Sequence, residues 1–185
     1  WYNFFSDLGR SATFAGASNT VSHILFVTAL CFASVALALA FAALPKLFNI
    51  VQSSRQLAIL GSIVGIISVV SYIGIASIPP DLHLTIHRMF VYIAFSAFLL
   101  VVALYSTAIF RNKFYPNIYA YTYVAFAIIL MLYLVLLFAG PKVETLGGNR
   151  IQATGQKIVV YAEIVCMFIQ SYGAFRLQNR LQSPE

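Results

Sequence analysis

Acidic and imidazole side chains are rare in this chain, and they occur in a few places. Asp7 lies near the N-terminus, and Asp81 precedes the pair His83 and His87 in a polar break between two apolar stretches. Glu163 interrupts a later apolar stretch. Carboxylates and imidazoles act as general acids and bases and hold divalent metals. A continuous helix would place His83 and His87, four residues apart, on one face.

Three interpretations of the histidines stay open. His83 and His87, completed by His23, Asp7 or Asp81, would hold a divalent metal that activates water beside a lipid headgroup. Alternatively, two histidines on different helices, such as His23 and His87, would bind haem. In the third interpretation, the histidines only form hydrogen bonds with loops and headgroups.

Glu163 is the acid that the apolar pattern places deepest in a membrane. A carboxyl group at that depth is costly, so we expect it to face the bundle interior and to have a partner. Gln156, Glu163 and Gln170 recur every seven residues and form one polar stripe on a helix. Glu163 is therefore either a proton-relay, ligand or metal group, or a neutral hydrogen-bonded acid that orders the bundle.

Composition places these residues in a membrane protein. Of 185 residues, 61% are hydrophobic and 9% are charged, and the mean hydropathy is +0.88. Soluble domains carry about 25% charged residues, so a soluble or disordered chain is excluded. The sequence contains no Walker loop, GxSxG, HExxH or CxxC motif. The net charge of +6 is scattered between apolar runs, which does not indicate nucleic-acid binding.

Charge-poor stretches predict an all-α, polytopic transmembrane bundle in a single domain, residues 1–185. Each stretch supplies the roughly 20 apolar residues that a membrane-spanning helix needs. Prolines between the stretches are expected to end helices. Because the chain opens on Trp1 rather than Met, we expect processing or a missing N-terminal segment. The predicted spans are 21–44, 57–78, 86–110, 117–140 and 153–177.

Basic residues predict the orientation. One side receives six, whereas the other receives five, of which Arg88 and Lys157 fall within helix ends. The positive-inside rule then places the C-terminus in the cytoplasm, and we expect the plasma membrane as the location. All three histidines and four of the five acids map to the outer half. The six basic residues of the cytoplasmic side are Lys46, Arg55, Arg111, Lys113, Arg176 and Arg180. The four acids of the outer half are Asp7, Asp81, Glu144 and Glu163.

Two further patterns concern packing. Gly61 and Gly65 form a GxxxG pair that permits close contact between helices. Four tyrosines near the inner side are expected to form an aromatic belt at the membrane surface. They are Tyr115, Tyr119, Tyr121 and Tyr123.

The stretch Asn3-Phe4-Phe5-Ser6-Asp7-Leu8-Gly9 resembles a motif of a known family. The motif is the N-x-x-S-D-L-G sequence after the first helix of small prokaryotic six-helix membrane proteins of unknown function. That family is distantly similar to the eukaryotic membrane proteins of GPI-anchor remodelling and autophagy modulation. The resemblance implies a helix before Trp1 and an outer cluster in which His83 or His87, and Glu163, match family positions. It implies no established activity.

The predicted function is non-enzymatic. We expect a membrane subunit, or a lipid- or ion-binding protein, whose partners are membrane lipids and other membrane subunits rather than nucleic acid. The alternatives are a metal-dependent lipid-modifying enzyme, with Asp7 or Glu163 as acid or base, and a haem-bearing electron carrier. The candidate binding residues are Ser6, Asp7, His23, Asp81, His83, His87, Arg88 and Glu163, with His83 and His87 as metal ligands.

Overall fold

The computed structural model describes residues 1–143 and 145–182, and within them the protein is helical. The predicted all-α class is confirmed: the described residues form no strand, and Ala12 and Ser18 form one isolated bridge. Five of the described helices are long and apolar enough to cross a membrane. They are α1 (Thr20–Ala43), α2 (Gln52–Ser77), α3 (Leu84–Phe110), α4 (Asn117–Ala139) and α5 (Leu146–Gln182).

The helices extend beyond the predicted spans, most clearly in α2 and at both ends of α5. α2 begins at Gln52 rather than at residue 57, and α5 runs over Leu146–Gln182 rather than over residues 153–177. Apolar residues mark only the part of a helix that fits the hydrocarbon, whereas backbone hydrogen bonding continues into the polar interface. The prolines do mark boundaries, since Pro45 lies in a 3₁₀ helix (Leu44–Phe48) after α1 and Pro116 caps α4.

The helices run up and down, and each packs against the next one in the chain. We call the end formed by residues 1–19, 78–83 and 140–143 the N-terminal end. The C-terminal end comprises residues 44–51, 111–116 and the last turns of α5. α3 is the central helix: 56% of its most apolar eighteen residues are buried, against 11% for α1.

Aromatic rings fill the core toward the C-terminal end. Tyr105 is 1% exposed, and its ring stacks on Phe41 with 6.3 Å between centroids. Phe48 stacks on Tyr115 at 5.6 Å. The predicted aromatic belt is therefore wrong for Tyr115 and Tyr123, which are 3% and 2% exposed, because these rings face neighbouring helices.

The GxxxG pair makes room for these rings. A Cβ atom on Gly61 would lie 2.9 Å from the Tyr105 ring, and one on Gly65 would lie 2.6 Å from the Phe41 ring. Between the two glycines, the Ser62 hydroxyl lies 2.7 Å from the Tyr105 hydroxyl. The small residues thus serve packing between helices of one chain.

Candidate functional site

The N-terminal segment folds back over the N-terminal end of the bundle. Its short 3₁₀ helix, Phe5–Gly9, packs beside α1 and α5. The backbone N–H of Phe5 donates to Gln156 Oε1 at 2.8 Å, and Asn149 Nδ2 donates to the Tyr2 carbonyl at 2.9 Å. Residues of α5 therefore hold the start of the chain in place.

His23 anchors the same segment to α1. Its Nδ1 lies 2.8 Å from the Gly9 carbonyl oxygen, which accepts the hydrogen bond. Gly9 itself lies against Phe26, where an added Cβ would be 2.6 Å from the ring. The imidazole of His23 is thus used to hold the segment.

Asp81 fastens the segment to the loop between α2 and α3. Its carboxylate accepts hydrogen bonds from Ser11 N, Ser11 Oγ and Ala12 N, at 3.0, 2.7 and 3.1 Å. Burial alone would raise the pKa of Asp81, but the hydrogen bonds from Ser11 and Ala12 outweigh it and lower the pKa to about 2. Asp81 therefore serves as an ionised latch.

Asp7 caps the 3₁₀ helix in which it lies. Its Oδ2 accepts a hydrogen bond from Phe4 N at 2.7 Å, and its Oδ1 lies 3.9 Å from Arg10 Nη1. Burial raises the pKa of Asp7 above its ordinary value, although the Phe4 hydrogen bond and the Arg10 charge oppose the rise. The carboxyl group is half-buried at the wall of a cavity.

The cavity encloses about 520 Å³ beneath the N-terminal segment, between α3, α4 and the start of α5. It brings together four of the predicted binding residues: Ser6, Asp7, His87 and Arg88. Sequence reasoning missed most of the polar residues that complete its wall, and had assigned Gln156 only to the stripe. These are Asn3, Arg10, Tyr133, Lys142, Asn149, Gln152 and Gln156.

His87 is 2% exposed and is oriented by the backbone. Its Nδ1 lies 2.7 Å from the Ile78 carbonyl oxygen, so this nitrogen carries the hydrogen. In the neutral ring, Nε2 is therefore a hydrogen-bond acceptor, and it has no partner within the described part of the chain. A residue of the cavity lining therefore has one buried, unpaired lone pair.

Gln152 presents a second unpaired acceptor. Its Nε2 donates to the carbonyls of Leu136 and Pro141, at 2.9 and 3.2 Å. These two carbonyls fix the orientation of the amide, and Gln152 Oε1 is buried without a donor among residues 1–143 and 145–182. The Tyr133 hydroxyl lies near Gln156 but forms no hydrogen bond of normal geometry with the described residues.

Positive charge surrounds the cavity. Arg10, Arg88 and Lys142 line it, and Asp7 is the one acid among its described lining residues. Arg10 pairs with Asp7 and lies over the Phe14 ring at 4.2 Å. Neither Arg88 nor Lys142 forms an ion pair with any described residue. The lining therefore favours an anionic group.

The remaining predicted residues lie outside the cavity. His23 and Asp81 hold the N-terminal segment, and His83 is exposed where α3 begins. Glu163 lies further along α5, where both carboxylate oxygens accept from the Tyr72 hydroxyl, at 2.8 and 3.0 Å. Glu144 lies outside the described residues.

The polar stripe of α5 is distributed among three partners. Gln156 binds the N-terminal segment, Glu163 binds α2 through Tyr72, and Gln170 Nε2 donates to the Tyr119 carbonyl on α4 at 2.7 Å. The stripe therefore faces other parts of the chain, as the spacing of seven residues between its members predicts. One of its members, Gln156, also lines the cavity.

The described residues offer no ready metal centre. No three histidine, cysteine, aspartate or glutamate side chains within residues 1–143 and 145–182 form a group that could hold a metal ion. His83 and His87 as a metal pair, and haem between His23 and His87, therefore stay predictions. The sequence does indicate one part of the cavity wall: Gln152 and Gln156 are four residues apart, so they share one face of α5.

Comparison with known proteins gave no match to any protein-family model, curated protein or solved structure. The resemblance of the Asn3–Gly9 stretch to the six-helix family therefore stays a prediction. In the structure, Ser6 and Asp7 of this stretch line the cavity, and Gly9 allows the stretch to lie close to α1.

Proposed function

We propose that this chain is a small membrane-embedded binding protein that holds the headgroup of an anionic lipid in the N-terminal cavity. The observation that carries the proposal is the lining, where three cations surround a polar floor at the edge of the membrane-spanning helices. Each Lys or Arg near a membrane surface contributes about 1 kcal/mol to the attraction of anionic lipid.

The wall toward α3 and α4 suits the apolar part of a lipid. Val91 and Leu137 line the cavity, and the rings of Tyr92 and Phe138 lie 5.1 Å apart beside them. Phe138 is 61% exposed, so this wall continues onto the outer surface of the bundle. A ligand with a charged head and an apolar chain would use both parts of the site.

The geometry favours binding over metal-assisted hydrolysis. Catalytic zinc sites use three protein ligands and a water molecule. In the cavity, His87 and Asp7 lie near each other, but His23 and Asp81 are engaged with the N-terminal segment instead. With the orientation proposed from the basic loops, the cavity opens toward the outer leaflet of the plasma membrane.

Lipid selectivity tests the proposal. The purified protein in neutral detergent would be titrated with phosphatidylglycerol and with zwitterionic phosphatidylcholine, and bound lipid would be counted by native mass spectrometry. We expect a preference for phosphatidylglycerol. Replacing Arg88 or Lys142 with Gln should weaken its binding about fivefold each, because one surface cation contributes about 1 kcal/mol.

Two variants at the C-terminal end provide the matched controls. Arg111→Gln and Lys113→Gln each remove one exposed cation from the other end of the bundle. They should leave phosphatidylglycerol binding unchanged. Equal losses from both pairs of variants, or equal binding of the two lipids by the native protein, would contradict the proposal.

A further inference from the structure

Unpaired hydrogen-bond acceptors in the lining of the cavity specify the ligand more closely than its cations do. Two residues that line the cavity, His87 and Gln152, each have a buried acceptor atom, Nε2 and Oε1, without a donor among the described residues. Both side chains line the cavity and are at least nine-tenths buried, at 2% and 4% exposure. An acceptor left unpaired in such surroundings is costly, so a bound group that donates to it gains affinity.

The backbone fixes both groups as acceptors. The Ile78 carbonyl requires the hydrogen of His87 on Nδ1, which leaves the lone pair on Nε2 of the neutral ring. The amide of Gln152 cannot be reversed without placing its oxygen against the carbonyls of Leu136 and Pro141. Neither group can therefore satisfy itself by exchanging its donor and acceptor atoms.

A phosphodiester does not meet this requirement, because its ionised oxygens only accept hydrogen bonds. The ligand must therefore bring donors in addition to its negative charge. An ammonium group would supply donors, but Arg10, Arg88 and Lys142 line the same cavity and repel a cation. Neutral hydroxyl groups supply donors without that repulsion.

From these contacts we infer that the cavity selects anionic lipids whose headgroup carries free hydroxyl groups, and that His87 and Gln152 determine this selectivity. The inference rests on the proposed binding of an anionic headgroup in the same cavity. The cations attract the phosphodiester, and the two acceptors receive the hydroxyl hydrogens of a polyol such as glycerol. His87 and Gln152 thus act as specificity-determining residues.

The sharpest test compares two lipids of equal charge. Phosphatidylglycerol and phosphatidylpropanol, with the same acyl chains, differ only in the two hydroxyl groups of the headgroup. Titration of the native protein in neutral detergent, followed by native mass spectrometry, should show phosphatidylglycerol binding about tenfold more tightly, because buried acceptors gain donors. Phosphatidylcholine in the same titration gives the zwitterionic baseline.

The three outcomes separate the two proposals. Equal binding of phosphatidylglycerol and phosphatidylpropanol, both above phosphatidylcholine, would overturn the hydroxyl selectivity and leave the anionic site standing. Binding of all three lipids at the phosphatidylcholine level would overturn both. Binding that decreases from phosphatidylglycerol to phosphatidylpropanol and from phosphatidylpropanol to phosphatidylcholine supports both.

A variant pair assigns the selectivity to His87. His87→Phe keeps a ring of similar size and removes the acceptor, so the preference for phosphatidylglycerol over phosphatidylpropanol should fall toward unity. His83→Phe makes the same substitution at an exposed position outside the cavity and should keep the full preference. Full selectivity in His87→Phe would remove His87 from the inference. The lipid comparison on the native protein decides the selectivity even if His87→Phe does not fold.

Discussion

At the C-terminal end, the ring of Phe48 stacks on Tyr115 and contacts the tilted ring of Tyr105, and all three rings are almost completely buried. At the N-terminal end, His87 and Gln152 are equally buried but enclose a cavity of about 520 Å³. The side chains named here are shielded from solvent at both ends. The C-terminal end also has a groove of about 610 Å³ between α1 and α5, but Lys46 is the one charged residue in its described lining, and the unpaired atoms Ser54 Oγ and Asn112 Nδ2 lie outside it. The N-terminal cavity differs in that three cations line it together with His87 and Gln152, each of which has an unpaired buried acceptor.

This difference separates two tasks within one small bundle. Close packing of rings gains dispersion energy and fixes the relative positions of the helices. Unpaired polar atoms reduce stability, and those of residues that line a cavity gain partners when a ligand donates to them. The contrast therefore assigns stability mainly to the C-terminal end and binding to the N-terminal end, and each assignment can be tested separately.

The largest effect is expected from Tyr105→Ala. This ring is 1% exposed and packs against Phe41, Phe48 and Tyr123, so its removal leaves a large void. Unfolding measured by denaturant titration in detergent should show a loss of about 3–5 kcal/mol. Tyr92→Ala removes a half-buried ring from the cavity wall and should cost about 1 kcal/mol or less. Equal losses would contradict the division of tasks.

A smaller effect is expected midway between the ends. Tyr72→Phe removes the hydroxyl that donates to Glu163 and should lower the free energy of unfolding by about 1 kcal/mol. A double-mutant cycle with Glu163→Gln would measure the coupling of the pair. Phosphatidylglycerol binding should not change, because neither residue lines the cavity. Loss of lipid binding in Tyr72→Phe would extend the site beyond the N-terminal end.

The latch at Asp81 predicts a pH dependence confined to the N-terminal end. The pKa of Asp81 falls from 3.8 to about 2 on folding. The stabilisation that Asp81 gives to the docked N-terminal segment is therefore complete above about pH 4 and is lost as the pH falls through 2. Release of the segment should change the fluorescence of Trp1, the single tryptophan, which lies beneath Lys157. Asp81→Asn should produce the release at neutral pH.

Hydrogen exchange gives the magnitude for this latch. Amides of residues 11 and 12 should exchange roughly five- to tenfold faster in Asp81→Asn, because they lose a charged acceptor. Ser18→Ala, in the same segment, removes a hydroxyl whose one hydrogen-bond partner among the described residues is the Thr20 hydroxyl, and it should leave the exchange rates unchanged. An unchanged rate in Asp81→Asn would show that His23 and Gln156 suffice to hold the segment.

The smallest effect is expected from His83→Ala. The side chain is exposed and lies outside the cavity, so the free energy of unfolding should change by less than about 0.5 kcal/mol. Elemental analysis of this variant and of the native protein also tests the metal prediction. Bound zinc in the native protein, lost on removal of His83, would restore the metal pair of His83 and His87.

The five spans were predictable because the bilayer demands internally hydrogen-bonded backbone and apolar side chains, and both leave a clear mark in the sequence. Which face of each helix is buried was not predictable from that mark. Tyr115 and Tyr123 lie near the C-terminal end as expected, yet both pack inward. Tyr123 packs on the Tyr105 ring of α3, and Tyr115 stacks on Phe48, which also contacts Tyr105.

The candidate site was predicted in part. The charge pattern grouped Asp7, His87 and Arg88 at one end, and in the structure all three line the cavity. His23 and Asp81 lie at the same end, but their side chains form hydrogen bonds with backbone groups of residues 9, 11 and 12 instead of lining the cavity. The contact of Asp81 joins parts of the chain about 70 residues apart, which local sequence patterns do not reveal.

The uneven burial of the helices has a consequence for how substitutions accumulate. Only 11% of the most apolar part of α1 is buried, so exchanges among Leu, Val, Ile and Phe there should be tolerated at most positions. α3, with 56% buried, is constrained by shape as well as by polarity. A deep mutational scan should therefore find α1 specified by its composition and α3 specified residue by residue.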